Sequence, residues 1–138
     1  MSKLTAITRT SISGPTRYLS SQGLIKGRVL DYGCGKGFDA DTLGIEKFDP
    51  NWCPALPKGK FDTIICNYVL NVVEPSEVKA IIAKVKKLLR CHGVAYFSVR
   101  RDLPLTGKAG RGCYQHYVKL SGKPIKQTSL FAIYKKIT

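Results

Sequence analysis

Acidic residues are scarce in this sequence. The 138 residues include 9 Asp and Glu against 23 Lys and Arg, so the formal charge is +14. Long apolar runs are absent as well, and none approaches the roughly 18 residues that a membrane-spanning helix needs. Apolar residues nevertheless make up 43% of the chain, which is ordinary for a folded domain and argues against disorder. An integral membrane protein is therefore excluded, and no membrane partner is expected.

The cysteines lack the C-x-x-C spacing of zinc sites and redox pairs. There are five of them, an odd number that argues against a disulfide framework: Cys34, Cys53, Cys66, Cys91 and Cys113. With two histidines in the whole chain, a zinc site would need ligands from distant segments. We therefore expect reduced thiols and no metal. The first 13 residues lack the apolar stretch of a secretory signal, so we expect a cytoplasmic protein.

The basic excess lies almost entirely in the second part of the chain. Residues 1–78 hold nine basic and eight acidic residues, whereas residues 79–138 hold fourteen basic residues and one acid, Asp102. Lysines can simply keep exposed helix faces solvated, but that does not explain why acids are missing over sixty residues. Such an imbalance predicts a positive field that attracts a polyanion, and nucleic acid is the expected partner.

Short apolar runs alternate with helical patterns over the first hundred residues. We predict strands over residues 28–32, 45–48, 61–67 and 94–99, and helices over 15–23 and 75–90, the second stopping before Gly93. Residues 114–120 and 128–137 are predicted to pair as antiparallel strands around 121–124. The alternation indicates an α/β protein with three layers, built on a mostly parallel sheet with an antiparallel C-terminal edge. No linker or repeat is visible, so one domain over residues 1–138 is expected.

A glycine-rich turn follows the first predicted strand. It reads Gly33-Cys34-Gly35-Lys36-Gly37, and Asp31 stands two residues before it. A P-loop would need G-x-x-x-x-G-K-[ST], and a dinucleotide fingerprint would need glycine where Phe38 stands. A carboxylate beside the turn disfavours phosphate, but it favours a ligand that carries an ammonium and a sulfonium. S-adenosylmethionine has both groups and is the predicted cofactor.

An apolar pair, an acid, an apolar residue and G-x-G-x-G together resemble the first motif of class I S-adenosylmethionine-dependent methyltransferases. The resemblance covers roughly residues 27–100 and implies a Rossmann-like fold. It implies that the methionine end of the cofactor is held by Asp31, Gly33, Cys34, Gly35 and Gly37. It also implies that Asp49 takes the ribose hydroxyls, and that Asn67 and Tyr68 lie beside the methyl group.

The chain is short where this family usually has a helix and a third strand. Only residues 50–60 separate Asp49 from Phe61, so the fold is expected to be shortened after the second strand. Trp52 or Leu56 is expected to cover the adenine instead, although core packing is an alternative for Trp52. Residues 68–72 and 8–11 also resemble small methyltransferase-like proteins that are encoded near DNA-modification genes.

The methyl acceptor is left open by the sequence. A nitrogen or oxygen acceptor can need a proton removed, for which His116, Tyr68 and Asp102 are the candidates, each with a structural role as the alternative. Asn67-Tyr68 keeps only the outer residues of the [DNS]-P-P-[YF] motif of enzymes that methylate base amines. Cys66 has no preceding proline and is expected to point into the core, which argues against a cytosine C5 enzyme.

Basic residues after the last parallel strand are the candidate nucleic-acid contacts: Arg100, Arg101, Lys108 and Arg111. Tyr114 and Tyr117 add aromatic surface on which bases could stack. The favoured function is a methyltransferase that acts on DNA or RNA. A methyltransferase for protein or small molecules, and a non-catalytic nucleic-acid-binding module that keeps the cofactor fold, are the alternatives.

Overall fold

A computed structural model of the chain describes residues 9–102, 116 and 118–138. Its helices and strands follow one another as α1 (Gly14–Ser21), β1 (Val29–Tyr32), α2 (Phe38–Leu43), β2 (Glu46–Phe48), β3 (Phe61–Asn67), α3 (Pro75–Lys87), β4 (Leu89–Arg100), β5 (Lys126–Gln127) and β6 (Phe131–Ile137).

The six strands form one sheet in the order β2-β1-β3-β4-β6-β5. β2, β1, β3 and β4 are parallel, and β6 runs antiparallel to both β4 and β5. This confirms the predicted mixed sheet with an antiparallel C-terminal edge. In the sheet, β2 lies on one side of β1 and β3 lies on the other. In open α/β sheets such a switch point opens the crevice in which ligands bind, at the carboxyl ends of the strands.

Helices cover both faces of the sheet, because the central strands are apolar on both sides. The larger core lies under α3 and includes Phe61, Phe97 and Val85. The smaller core lies under α1, where Leu19 packs with Ile65 and other residues of the opposite face. Each face of β3 is therefore buried by a different helix, which gives the three predicted layers.

The segment that connects β2 to β3 forms no further strand, and the structure describes all of residues 49–61. Asp49 and Cys53 form only an isolated antiparallel bridge there, with two backbone hydrogen bonds of 2.9 Å. The fold is thus shortened after its second strand, as the spacing of the sequence predicts.

The end of α3 was predicted wrongly, since the helix ends at Lys87 and not at Arg90. The Leu88 carbonyl accepts a hydrogen bond of 2.8 Å from the Phe61 N–H, and the buried Leu89 already pairs with Phe61 in the sheet. Residues 90–93 then form a bulge within β4, so Gly93 lies inside a strand and does not end the helix. Pairing with β3, which local sequence cannot show, decides this boundary.

The C-terminal hairpin also differs from the prediction. Val118 and Leu120 are buried beneath α3 and are not in a strand, although the exposed Lys119 between them gives the alternation typical of one. The hairpin is formed instead by β5 and β6 around Thr128, whose Oγ1 accepts hydrogen bonds from the Leu130 and Phe131 N–H groups. The alternating burial here comes from packing on the sheet face.

Candidate functional site

The glycine turn lies at the switch point, directly after β1. Gly33, Gly35 and Gly37 all have left-handed backbones, with φ of 81°, 58° and 88°. The Gly33 and Cys34 N–H groups donate to the Phe48 carbonyl at 2.7 and 3.0 Å, which ties the turn to the end of β2. A Cβ at Gly33 would collide with Val69 Cγ2. Both the positive φ and this close approach require glycine at position 33.

Asp31 is a buried carboxyl group in β1, with 3% of its surface exposed. Burial, followed by the charges of Asp39 and Asp49, raises the pKa of Asp31 to about 8, while Arg9 opposes the shift. Three acids in one electrostatic neighbourhood disfavour an anionic ligand and favour a cationic one.

Asp49 connects the turn to the loop that follows β2. Its Oδ2 accepts from the Gly35 N–H at 2.9 Å, and its Oδ1 accepts from the N–H groups of Asn51 and Trp52 at 2.8 and 3.2 Å. The carboxylate is buried, and these bonds use three of its roughly four acceptor positions. This predicted ribose-binding residue therefore lies against the glycine turn and also holds the shortened loop in place.

Trp52 follows on this loop and keeps 39% of its surface exposed, so it is not a core residue. The Lys36 ammonium of the glycine turn lies 5.0 Å from the centroid of its ring. Leu56 is exposed to a similar extent. Both residues predicted to cover an adenine thus stand on the surface after β2, and Trp52 lies beside the turn.

An open cleft of about 370 Å³ adjoins the turn, and it is lined by Arg9, Lys36, Phe38, Asp41 and Thr42. Arg9 acts electrostatically on both Asp31 and Tyr68, because its charge opposes the rise that burial causes in the pKa of each. Its charge therefore reaches both the glycine turn and the end of β3. No motif or spacing in the sequence marks Arg9 as a site residue.

A buried chain of polar side chains reaches the end of β3. Asp39 accepts hydrogen bonds from the hydroxyls of Ser13 and Thr16, at 2.6 and 2.8 Å. Asn67 Nδ2 donates to Thr16 Oγ1 at 2.7 Å, and Ser98 Oγ donates to Asn67 Oδ1 at 2.6 Å. Only Asn67 of this set was predicted. An acid in the first turn of a helix ordinarily indicates an exposed residue, so nothing in the sequence signals that Asp39 is buried.

Tyr68, the next residue, has a left-handed backbone with φ of 63°. Its N–H donates to the Ser98 carbonyl at 2.9 Å, and burial raises the pKa of its half-buried side chain. Such a backbone costs a non-glycine residue about 1–2 kcal/mol, so the surrounding structure has to impose it. Strain of this kind is common at functional sites.

His116 is buried, and its Nε2 lies 2.7 Å from the Val73 carbonyl oxygen. Because a carbonyl only accepts, this nitrogen carries a proton. Asn71 exchanges two hydrogen bonds of 2.9 Å with the His116 backbone, and its Oδ1 accepts from the Arg100 N–H at 2.8 Å. His116 is thus hydrogen-bonded to the loop after β3. Its role as a base stays a prediction.

The two predicted phosphate contacts in the described part of the chain have partners within it. Arg100 forms a bidentate pair with Asp102, through two hydrogen bonds of 3.0 Å that lower the pKa of that carboxyl group and weaken it as a base. Arg101 Nη1 donates to the Thr128 carbonyl. Neither guanidinium stands unengaged at the ligand edge of the sheet.

The other two predicted contacts, Lys108 and Arg111, lie outside the described residues, as do Tyr114 and Tyr117. Exposed lysines occur instead on α3, opposite its apolar face, and form no ion pair with the described residues: Lys79, Lys84 and Lys87. They are among the cations of the basic part that the described structure leaves open to a partner, together with the exposed Lys119, Lys123 and Lys135.

Cys66 is fully buried in the core, where burial and then the charge of Asp31 raise the pKa of its thiol. It therefore does not act as an exposed thiolate nucleophile. Within residues 9–102, 116 and 118–138, no group of three His, Cys, Asp or Glu side chains is arranged to hold a metal ion. None of the helices described has the length and apolar character required to span a membrane.

Two solved methyltransferase structures share this fold. The glycopeptide N-methyltransferase MtfA, complexed with S-adenosylmethionine, matches with a TM-score of 0.51 and 15% identity over 64% of this chain and 54% of its own. The N-methyltransferase NodS from Bradyrhizobium japonicum, complexed with S-adenosyl-L-homocysteine, matches with a TM-score of 0.50 and 18% identity over 64% of this chain and 60% of its own. No family model and no curated protein matches the sequence. The chain thus has the class I methyltransferase fold but spans little more than half the length of these structures.

Proposed function

We propose that the chain is an S-adenosylmethionine-dependent methyltransferase. The observation that carries the proposal is the buried Asp31 carboxyl group beside a glycine turn, at the switch point of a sheet with the methyltransferase fold. The two structures that share the fold were solved with S-adenosylmethionine or its demethylated product, which supports the same choice of cofactor here.

The residues at the turn fit this cofactor. Asp31 would pair with its ammonium, and the turn from Gly33 to Gly37, with Cys34 and Gly35, would let its methionine end approach the backbone. Asp49 keeps one acceptor position for a ribose hydroxyl, and the exposed ring of Trp52 would cover the adenine. When bound, the cofactor supplies a methyl group on a positively charged sulfur.

The residues at the end of β3 would hold the acceptor. Methyl transfer is an in-line displacement, so fixing the nucleophile near contact with the methyl group supplies much of the rate acceleration. Asn67 and Tyr68 are the proposed contacts, because Asn67 ends β3, the strand next to β1, and Tyr68 follows it. Arg9 acts electrostatically on both Asp31 and Tyr68 and would stabilise an acceptor that has lost its proton, until the incoming methyl group neutralises the charge.

Nucleic acid is the proposed substrate. The net charge of +13 over residues 79–138 and the exposed lysines of α3 support it. The engagement of Arg100 and Arg101 within the chain favours a contact surface centred elsewhere. A protein or small-molecule acceptor is the second candidate, since MtfA is by its name a glycopeptide enzyme. The cytoplasmic location, the single domain over residues 1–138 and the nucleic-acid contacts of Lys108 and Arg111 stay predictions.

The test combines cofactor binding with methyl transfer. Calorimetry should show S-adenosylmethionine binding to the wild-type protein and at least tenfold weaker binding to Asp31→Asn, because the variant loses the buried charge. Glu77→Gln, which changes an exposed acid on α3, is the matched control and should bind normally.

Transfer of a radiolabelled methyl group is then measured against DNA, RNA and protein from cell extract. Label in nucleic acid that depends on Asp31 supports the whole proposal, whereas label only in protein favours the second candidate. Cofactor binding without transfer to any substrate would indicate a non-catalytic module. Absence of binding would refute the proposal.

A further inference from the structure

The hydrogen bonds around Asp39 have defined directions. The backbone N–H and the hydroxyl of Ser13 donate to its two oxygens at 3.0 and 2.6 Å, and the Thr16 hydroxyl donates at 2.8 Å. A carboxylate only accepts, so both hydroxyl protons point at Asp39, and the Ser13 proton is not directed along the longer contact of 3.0 Å between Ser13 Oγ and Thr16 Oγ1. The oxygens of Ser13 and Thr16 are then left to accept from any other neighbour.

That neighbour is the amide of Asn67. Its Nδ2 lies 2.7 Å from Thr16 Oγ1 and 3.4 Å from Ser13 Oγ, and its Oδ1 accepts from Ser98 Oγ at 2.6 Å. Both N–H groups of the Asn67 amide therefore point towards Thr16 and Ser13. One lone pair on Asn67 Oδ1 has no partner among the described residues. Asp39 thus determines, through Thr16, which end of the Asn67 amide is available.

We propose that Asp39 is a positioning residue that makes Asn67 present its carbonyl oxygen to the methyl acceptor. The inference rests on the proposed function and narrows its substrate class: the acceptor atom carries an N–H or O–H that donates to Asn67 Oδ1. Asp39 itself touches neither substrate nor cofactor in this arrangement.

The burial of Asp39 argues that its role is more than holding α1 against α2. None of the four ion pairs in the described part of the chain includes Asp39, although it is 93% buried. A buried charge without a cationic partner carries a large desolvation penalty, and apolar packing could join α1 to α2 without it. A hydrogen-bond network that ends on an acceptor such as Asp39 does what apolar packing cannot. It holds the Asn67 amide in one of its two orientations.

The principal test is Asp39→Asn. The Ser13 backbone N–H can only donate, so the oxygen of the new amide has to stay there and its NH₂ group turns to the hydroxyls. Thr16 then accepts from it and donates towards Asn67, which reverses the Asn67 amide. We expect kcat to fall roughly 10- to 100-fold. Because the charge of Asp39 also acts on Asp31, cofactor affinity is measured separately and kcat is compared at saturating cofactor.

A double-mutant cycle with Asn67→Ala separates positioning from general destabilisation. If Asp39 acts through Asn67, Asp39→Asn has no further effect on kcat in the Asn67→Ala background. The same loss in both backgrounds would overturn the proposal. Thr16→Val cuts the link but leaves the two Ser13 bonds to Asp39, so it should reproduce the loss of kcat even if Asp39→Asn fails to fold.

Nuclear magnetic resonance of the Asn67 side-chain amide gives a readout that does not depend on turnover. In the wild-type protein its NH₂ protons should show contacts with the Thr16 methyl group, and in Asp39→Asn these contacts should be replaced by contacts with Ser98. Unchanged contacts would refute the positioning role. A wild-type protein with these contacts but without methyl transfer would instead show that the proposed function fails.

Discussion

At the scale of single residues, the electrostatics of the site depend on Asp31. Its carboxyl group is buried near two other acids, Asp39 and Asp49, and Arg9 compensates for only part of their charge. A buried carboxyl group that is held neutral up to about pH 8 becomes a strong anchor once a cationic ligand arrives. The same property makes the ligand-free protein sensitive to pH.

The stability of the ligand-free protein should fall as the pH rises. The pKa of Asp31 is about 8 when folded, against about 3.9 in an unfolded chain, so the folded state binds more protons between these values. Its stabilising contribution is complete below about pH 4 and is lost as the pH rises through about 8. Asp31→Asn should therefore raise the melting temperature at pH 8 by about 3 °C or more, with little change at pH 4. Thermal unfolding at several pH values measures this, and parallel curves for both proteins would contradict it.

Cofactor affinity should change with pH in the opposite direction. An ammonium and a sulfonium are held best by ionised Asp31, so affinity should rise by up to roughly tenfold per pH unit between pH 6 and 8. The weaker binding of Asp31→Asn should not vary over this range. Calorimetry at pH 6, 7 and 8 tests both proteins, and a flat wild-type profile would show that Asp31 does not contact the cation.

At the scale of elements, the turn between β1 and α2 is the most constrained connection near the site. It is tied to β2 through the Phe48 carbonyl, to the following loop through Asp49, and to the chain after β3 through the close approach of Val69. Any side chain at Gly33 has to displace Val69, which is buried in the core.

Gly33→Ala should therefore destabilise the protein more than its backbone conformation alone explains. Gly122 is a matched control, because its φ of 87° is close to the 81° of Gly33 but no atom of the described residues lies within 4 Å of an added Cβ. We expect Gly122→Ala to lower the free energy of unfolding by about 1 kcal/mol. Gly33→Ala should lower it by at least about 2 kcal/mol more and abolish cofactor binding. Chemical denaturation checks this, and equal losses for the two variants would rule out the predicted clash.

At the scale of the whole molecule, the charge is divided unequally between two parts of the chain. Residues 1–78 are almost neutral, and residues 79–138 carry a net +13. The described lysines with open surroundings in the basic part include three on α3, whose apolar face packs on the sheet. A polyanion attracted to this field would contact α3 as well as the edge where the strands end.

Charge reversal on α3 should weaken nucleic-acid binding and reduce its salt dependence. The triple variant Lys79→Glu, Lys84→Glu and Lys87→Glu removes three candidate phosphate contacts. It should decrease the slope of log affinity against log salt by about 2–3 for duplex DNA.

The control reverses three exposed lysines in the nearly neutral part, Lys26, Lys58 and Lys60, and has the same total charge. Fluorescence anisotropy over a range of salt concentrations compares the two variants. The same loss in both would mean that net charge alone drives binding.

Much of the fold could be predicted because its signals are local. The run from Phe61 to Asn67 has an apolar centre without alternation, as expected of a strand buried on two faces, and its predicted bounds match β3 at both ends. The glycine turn was equally visible, because left-handed backbones and close approaches require glycine itself. The end of α3 and the C-terminal hairpin were not visible, since pairing with other strands decides them.

The sequence alone determined the order of the strands from β1 to β4 and of the helices α1 and α3, the glycine turn, its adjacent acid and the uneven charge. Each of these depends on neighbours along the chain or on composition. The tertiary structure determined which residues they contact and which side chains are buried. It buried Asp39, joined it through Thr16 to Asn67, and engaged Arg101 with the Thr128 carbonyl at the edge where free cations were expected. Hydrogen bonds between segments 23 to 51 residues apart depend on how the chain packs, and no local pattern encodes them.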